Sequence, residues 1–137
     1  MKESAQMSLS YIRSIWDKLG LEKDFYEKID VHIHAPEGAV PKDGPSAGVT
    51  LVTAMVSALT KRAVRRDIAM TGEMTLRGKV LPIGGLKEKS LAAYRAGSRE
   101  IIIPIDNKKD MEEIPAEIRE EMTIHLADNI TEVLDWA

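Results

Sequence analysis

From Ser46 to Thr60 the chain carries no charged side chain, and its only polar groups there are serines and threonines. Ala47, Val49, Leu51, Val52, Ala54, Met55, Val56, Ala58 and Leu59 leave no other polar stripe. A helix apolar on every side belongs inside a larger structure, because none of its faces suits water. The β-branched members would also suit a strand, but about 15 residues is long for one. The run therefore predicts a central, buried helix that the rest of the chain must cover. A chain of 137 residues with a 44% hydrophobic share is an ordinary soluble domain's worth, enough to build that cover.

The remaining segments show regular periods. Ala5, Leu9, Ile12, Trp16 and Leu19 recur at steps of four and three, one helical stripe, and Gly20 suits the left-handed residue that ends a helix. Val31, Ile33 and Ala35 alternate with His32 and His34, which predicts a half-buried strand ended by Pro36, Gly38 and Pro41. Ile68 to Thr71 reads as a short strand. Met74 to Ile83 reads as a hairpin turning near Gly78, with Pro82 at an edge or strand end. Leu86 to Ala96 is a helix stopped by Gly97, and Glu100 to Pro104 an apolar strand. Asp110 to Glu121 carries one or two short helical pieces, Met122 to Leu126 a strand, and Thr131 to Trp136 a terminal helix. Strands and helices alternate around one hairpin, with no linker or repeat, so the expected class is α+β (mixed α/β) in a single domain over 1–137.

Lys plus Arg number 19 against 22 Asp plus Glu, a formal charge of −3, whereas modules that neutralise phosphates are normally basic. The cluster Lys61, Arg62, Arg65 and Arg66 has no interleaved aromatics and has Asp67 beside it, so it reads as a solvated loop. Without cysteine, disulfide scaffolds, thiolate zinc sites and a cysteine nucleophile are excluded. His32 and His34 form a geometrically possible H-x-H metal pair. No further ligand accompanies them or His125 at a recognisable spacing, and no metal is expected. There is no apolar run of about 18 residues and no basic-then-apolar leader, so the expectation is a soluble, intracellular chain without membrane or nucleic-acid partners.

Three segments can carry chemistry. In Pro41-Lys42-Asp43-Gly44-Pro45-Ser46-Ala47-Gly48, a serine stands at the start of the buried helix. The N–H groups of a first helical turn lack internal partners, and they suit a phosphate or the oxyanion of an acyl intermediate. Gly44 and Gly48 let a substrate backbone come close; the plain alternative is that Asp43 or Ser46 caps the helix. In Gly84-Gly85-Leu86-Lys87-Glu88-Lys89, a helical wheel groups Lys87, Glu88 and Arg95 on a wet sector and sets Lys89 beside Ala92, Ala93 and Ala96. A lysine among apolar neighbours can lose its proton, the property a general base needs, at roughly 4 kcal/mol for about three units. The alternative is a snorkelling lysine with its head in water. In Met70-Thr71-Gly72-Glu73, the threonine hydroxyl can orient a nearby amine, or be an ordinary strand residue, and Glu73 can pair with Arg77 or Lys79.

Taken in order, these segments resemble the proteolytic domain of the A-type ATP-dependent Lon proteases. The likeness runs over nearly the whole chain: Met1 to Ala5, Pro36 to Ala39, Pro41 to Gly48, Ala69 to Glu73, Thr75 to Gly78, Val80 to Ala93 and Asn107 to Pro115. A glycine-rich turn alone is a weak signal, but the ordered set is specific. The resemblance implies a serine–lysine dyad, with Ser46 as nucleophile, Lys89 rather than Lys87 as general base, and Thr71, Asp43 and Gly44 in support. It implies that an extended substrate lies along Pro36, Glu37, Gly38 and Ala39 as an added strand.

The same resemblance implies a ribosomal-protein-S5-domain-2-like fold, truncated at its N-terminus, since strands usually precede the first helix. It implies a substrate-binding region and an AAA+ ATPase module upstream, and the 137 residues contain no Walker loop. ATP and Mg are thus implied for that module and no cofactor for this domain. Unfolded or damaged polypeptides are the implied substrates, a homohexameric ring the assembly, and the cytoplasm (or a mitochondrial matrix) the location. Two other readings stay open: a Lon-like oligomerisation module without hydrolysis, and a GHMP-like domain binding nucleotide phosphate at Gly44 to Gly48.

Overall fold

The computed structural model describes residues 2–22 and 48–137. Helix α1 (Lys2–Ser14) turns Ser8, Tyr11 and Ile12 inward. Trp16 and Leu19 lie beyond its end, in a turn closed by the Leu21 N–H on the Trp16 carbonyl at 2.9 Å, with Gly20 at φ +74°. Helix α2 (Gly48–Thr60) packs along α1 and buries Val49, Leu51, Val52, Thr53, Met55 and Val56. Thr53 is buried on this apolar face and Thr60 half-buried, because they donate to the carbonyls of Val49 (2.9 Å) and Val56 (2.7 Å). Burial is not all-round as expected. Thr50, Ala54 and Ala58, at steps of four, form an exposed strip. Such small residues lose little in water, so a hydropathy pattern does not mark that side as wet.

After α2 come β1 (Ile68–Met70), the hairpin β2 (Glu73–Met74) and β3 (Val80–Leu81), α3 (Leu86–Arg95) and β4 (Glu100–Pro104). A 3₁₀ segment (Ile105–Glu113), α4 (Ala116–Glu121), β5 (Thr123–Ala127) and α5 (Ile130–Trp136) complete the order. Strands β1, β4 and β5 form a parallel sheet in the order β1-β4-β5, with Ile68 opposite Glu100 and Glu100 opposite Thr123. Central in it, β4 is apolar and buried from Ile101 to Pro104 because both its faces are covered. Ile102 faces a core with Ile12, Val49, Val52, Met55, Ile130 and Val133. Ile101 and Ile103 face a second core with Leu86, Ile114, Ile118 and Met122. The alternation of a strand thus sorts three consecutive isoleucines into two layers.

Among the described residues, the expected elements from β1 onward are present, most within one or two residues of their predicted ends. The 3₁₀ segment starts earlier than predicted, at Ile105. The predicted strand at 31–35 lies outside the described residues. The hairpin turns where expected: Thr75 Oγ1 accepts from the N–H groups of Arg77 (3.3 Å) and Lys79 (3.2 Å). Gly78 has φ +87°, and a Cβ there would lie 2.6 Å from the Tyr11 hydroxyl, so α1 docks directly on this turn. Burial pushes the Tyr11 phenol above its usual range. Helices, a parallel sheet and a hairpin in one unit make a mixed α+β domain.

Candidate active site

The segment Thr71-Gly72-Glu73 leaves the end of β1 and meets the start of α2. The Thr71 N–H donates to the Ile102 carbonyl (3.1 Å), extending the β1–β4 ladder by one bond, and its side chain is buried. The Gly72 carbonyl accepts from the Val49 N–H at 2.9 Å, which ties the first turn of α2 to this segment. Glu73 is only 8% exposed. Its Oε1 accepts from the Met74 N–H at 2.9 Å and lies over Gly48, where a Cβ would overlap it and stand 3.0 Å from the Glu73 carboxyl carbon. Of the two expected partners, Arg77 and Lys79, Lys79 instead pairs with Asp128 at 3.1 Å, because the hairpin turn aims it at the β5–α5 link. That carboxylate raises the Lys79 pKa above the usual lysine value.

Helix α3 carries the two lysines. Lys87 is exposed, whereas Lys89 is half-buried on the edge of the face that Leu86 and Ser90 bury. The separation of the two lysines is as the wheel drew it, but the neighbours differ. Ala92 and Ala96 are exposed and Ala93 is half-buried, so the dry side runs through Leu86, Ser90 and Ala93 toward the second core. Tertiary packing chose the arc of the wheel that faces inward, and the chosen arc puts Lys89 at its rim.

No side chain caps α3; its N-cap is the left-handed Gly85. The run into the helix is held from elsewhere, by Asn107, which is 1% exposed. Its Oδ1 accepts from the Ile83 N–H, and its Nδ2 donates to the Ile83 carbonyl and to Asp110, each at 2.9 Å. One amide thus pairs both backbone groups of Ile83, as a neighbouring strand would. Sequence reasoning missed Asn107 as a positioning group: an asparagine before two lysines reads as surface, and nothing local shows a partner 24 positions away.

Ser46, Asp43, Gly44, Pro36, Glu37, Gly38 and Ala39, with His32 and His34, lie outside the described residues. The structure therefore places Thr71 and Lys89 of the predicted set, and it places Gly48, two positions after Ser46, against Glu73. His125 is engaged structurally: its Nε2 lies 2.7 Å from Glu100 Oε1 and its ring stacks on Trp136 at 4.7 Å. Arg65 of the basic cluster is ion-paired with Asp67 and Glu100. A cavity of about 460 Å³ lies elsewhere, between Ile15 and Leu19, the C-terminal half of α2 and α5, and includes none of these site residues.

The whole chain, residues 1–137, matches the family described as the Lon protease (S16) C-terminal proteolytic domain. It is 64% identical to Lon protease 1 of Bacillus subtilis (strain 168) over 100% of the chain and 18% of that relative. It is 60% identical to the Lon protease of Desulforamulus reducens over 98% of the chain and 16% of that relative. The chain thus spans less than a fifth of the length of these curated relatives.

Proposed function

The chain belongs to the Lon (S16) protease family, to its C-terminal proteolytic domain, and from that premise we propose that it hydrolyses peptide bonds with a serine–lysine dyad, Ser46 and Lys89. The observation that carries this reading is the contrast on α3: of two lysines in one turn, the one matching the family base is half-buried and the other is in water. A second support is that α2, which follows directly on the Ser46 loop, starts against Thr71-Gly72-Glu73.

In the proposed reaction, neutral Lys89 Nζ takes the proton of Ser46 Oγ as that oxygen attacks a peptide carbonyl. Backbone N–H groups around Gly44 to Ala47 hold the resulting oxyanion. The C–N bond breaks as the proton passes from Lys89 to the leaving amine, and water then hydrolyses the acyl-serine. Thr71 orients the Lys89 amine, and Asp43 and Gly44 support the loop. An extended polypeptide, unfolded or damaged, lies along Pro36 to Ala39 as an added strand. We further propose a ribosomal-protein-S5-domain-2-like fold, a homohexameric ring and a cytoplasmic location, on the strength of the family membership. The ATP and Mg of the family fit no G-x-x-x-x-G-K-[ST] run in these residues, so no step of the hydrolysis is routed through nucleotide here.

A mechanism-based serine reagent tests the dyad. It is expected to label Ser46 in the wild type and not in Lys89→Ala. Equal labelling of both, or none in folded intact protein, would remove the proposal, and saturable ATP binding at Gly44 to Gly48 would favour a phosphate-binding domain instead.

A further inference from the structure

We infer that Glu73 is a positioning residue for the Ser46 nucleophile, acting through its buried carboxylate against Gly48 at the start of α2. The inference rests on the proteolytic reading above and adds a residue to it. Carboxylates this buried are rare unless something holds them. Here the Met74 N–H binds Oε1 at 2.9 Å, and the oxygen lies over the glycine that opens α2. The first turn of α2 (Gly48 to Leu51) has no acidic residue of its own. A helix start favours a nearby negative charge, and Glu73 supplies one from another element.

The contact also fixes geometry. A carboxylate tip in water would swing away from an added methyl, but this one is buried and bonded to Met74, whose nitrogen is itself 3.3 Å from the position of a Gly48 Cβ. The next residue, Val49, is held by the Gly72 carbonyl at 2.9 Å. Two successive residues of α2, Gly48 and Val49, are thus registered on Glu73 and Gly72, where the β1–β2 connection enters β2. Ser46 stands two positions before Gly48 in the sequence, so a group that holds Gly48 acts close to the proposed nucleophile. The tripeptide then serves both halves of the dyad: Thr71 for the lysine and Glu73, through Gly48, for the serine.

The test uses the intact protein, with acylation of Ser46 by a fluorophosphonate probe and kcat and KM for an unstructured peptide. Glu73→Gln keeps the shape and an acceptor for Met74 and removes the charge; kcat is expected to fall about tenfold with KM held within about twofold. Gly48→Ala is expected to slow acylation about a hundredfold, the scale of a small misplacement of a reacting group. The double variant Gly48→Ala/Glu73→Ala, which opens room for the methyl, is expected to regain about tenfold of that loss, a coupling that independent destabilisation would not give. Wild-type acylation rates in Glu73→Gln, or no relief in the double variant, would overturn the positioning role alone. Failure of the wild type to acylate at Ser46, or equal acylation in Lys89→Ala, would instead sink the proteolytic reading and this inference with it.

Discussion

Helix α5 and helix α3 begin in opposite ways. At α5 the chain caps itself: Asn129 Oδ1 accepts from the Thr131 N–H at 3.0 Å, and Glu132 Oε1 accepts from the N–H groups of Asp128 (3.0 Å) and Asn129 (3.2 Å). This is a complete capping box within four residues. At α3 there is no side-chain cap, and the run into the helix depends on Asn107, across the sheet connection. The start of α2 shares that dependence, since Glu73 reaches it from the hairpin. The helix with its own side-chain cap, whose Ile130 N–H also donates to the Gly78 carbonyl at 2.8 Å, carries no proposed chemistry. The two helices that bear or border the proposed dyad take their positioning side chains from other elements. A local cap fixes where a helix starts; only a tertiary partner fixes where that start points relative to another element.

Four measurements would break or sharpen this contrast. The largest effect is expected on α3 itself: Lys89→Ala should lower peptide hydrolysis roughly a thousandfold or more, the worth of a lost base, while Lys87→Ala keeps substantial activity and both unfold like wild type. Equal loss in both lysine variants would mean that the wheel and the packing had picked out the wrong amine. Next, Asn107→Leu strands both backbone groups of Ile83 and should cost about 2–3 kcal/mol in a denaturant titration, with activity falling further than the folded fraction. Asn129→Ala at the self-capped helix should cost about 1 kcal/mol and leave the activity per folded molecule unchanged. If it lowered the specific rate as Asn107→Leu does, local and distant capping would not differ in what they position.

The smallest effect concerns the link that joins the hairpin to α5. Asp128 raises the Lys79 pKa, so the folded state binds that proton more tightly than the unfolded chain. The stabilisation is therefore present below the ordinary lysine value and is lost as pH rises through the raised one. The midpoint of Asp128→Asn should lie slightly below wild type at neutral pH, and the two should converge in strongly alkaline buffer. Both groups are more than half exposed, so added salt should shrink the difference as well.

Much of the architecture could be read before any coordinates. The steps of four and three located α1, where one face is buried, and the apolar run before Pro104 located β4, where both faces are. The limits came where residues tolerate either environment. Thr50, Ala54 and Ala58 gave no warning that α2 has a wet strip. Ala92 and Ala96 looked like a dry bed for Lys89 and are exposed. Glu73 read as an acid able to pair with Arg77 or Lys79, and Asn107 showed no role of its own, yet both are buried. Alanine carries too little hydrophobic free energy to choose a side, and a polar residue's burial depends on a partner that local sequence does not name.

The sequence by itself determined which segments become helices and strands, that the charge-free helix must be covered, and, through its ordered motifs, the family and the candidate dyad. Those follow from local periodicity and from residue chemistry, which short stretches carry in full. Only the tertiary structure decided which rim of α3 holds Lys89, that Ile83 is paired by Asn107, and that the Glu73 carboxylate closes on Gly48. These depend on partners distant along the chain, and a contact between distant residues costs chain entropy that only the packed whole repays.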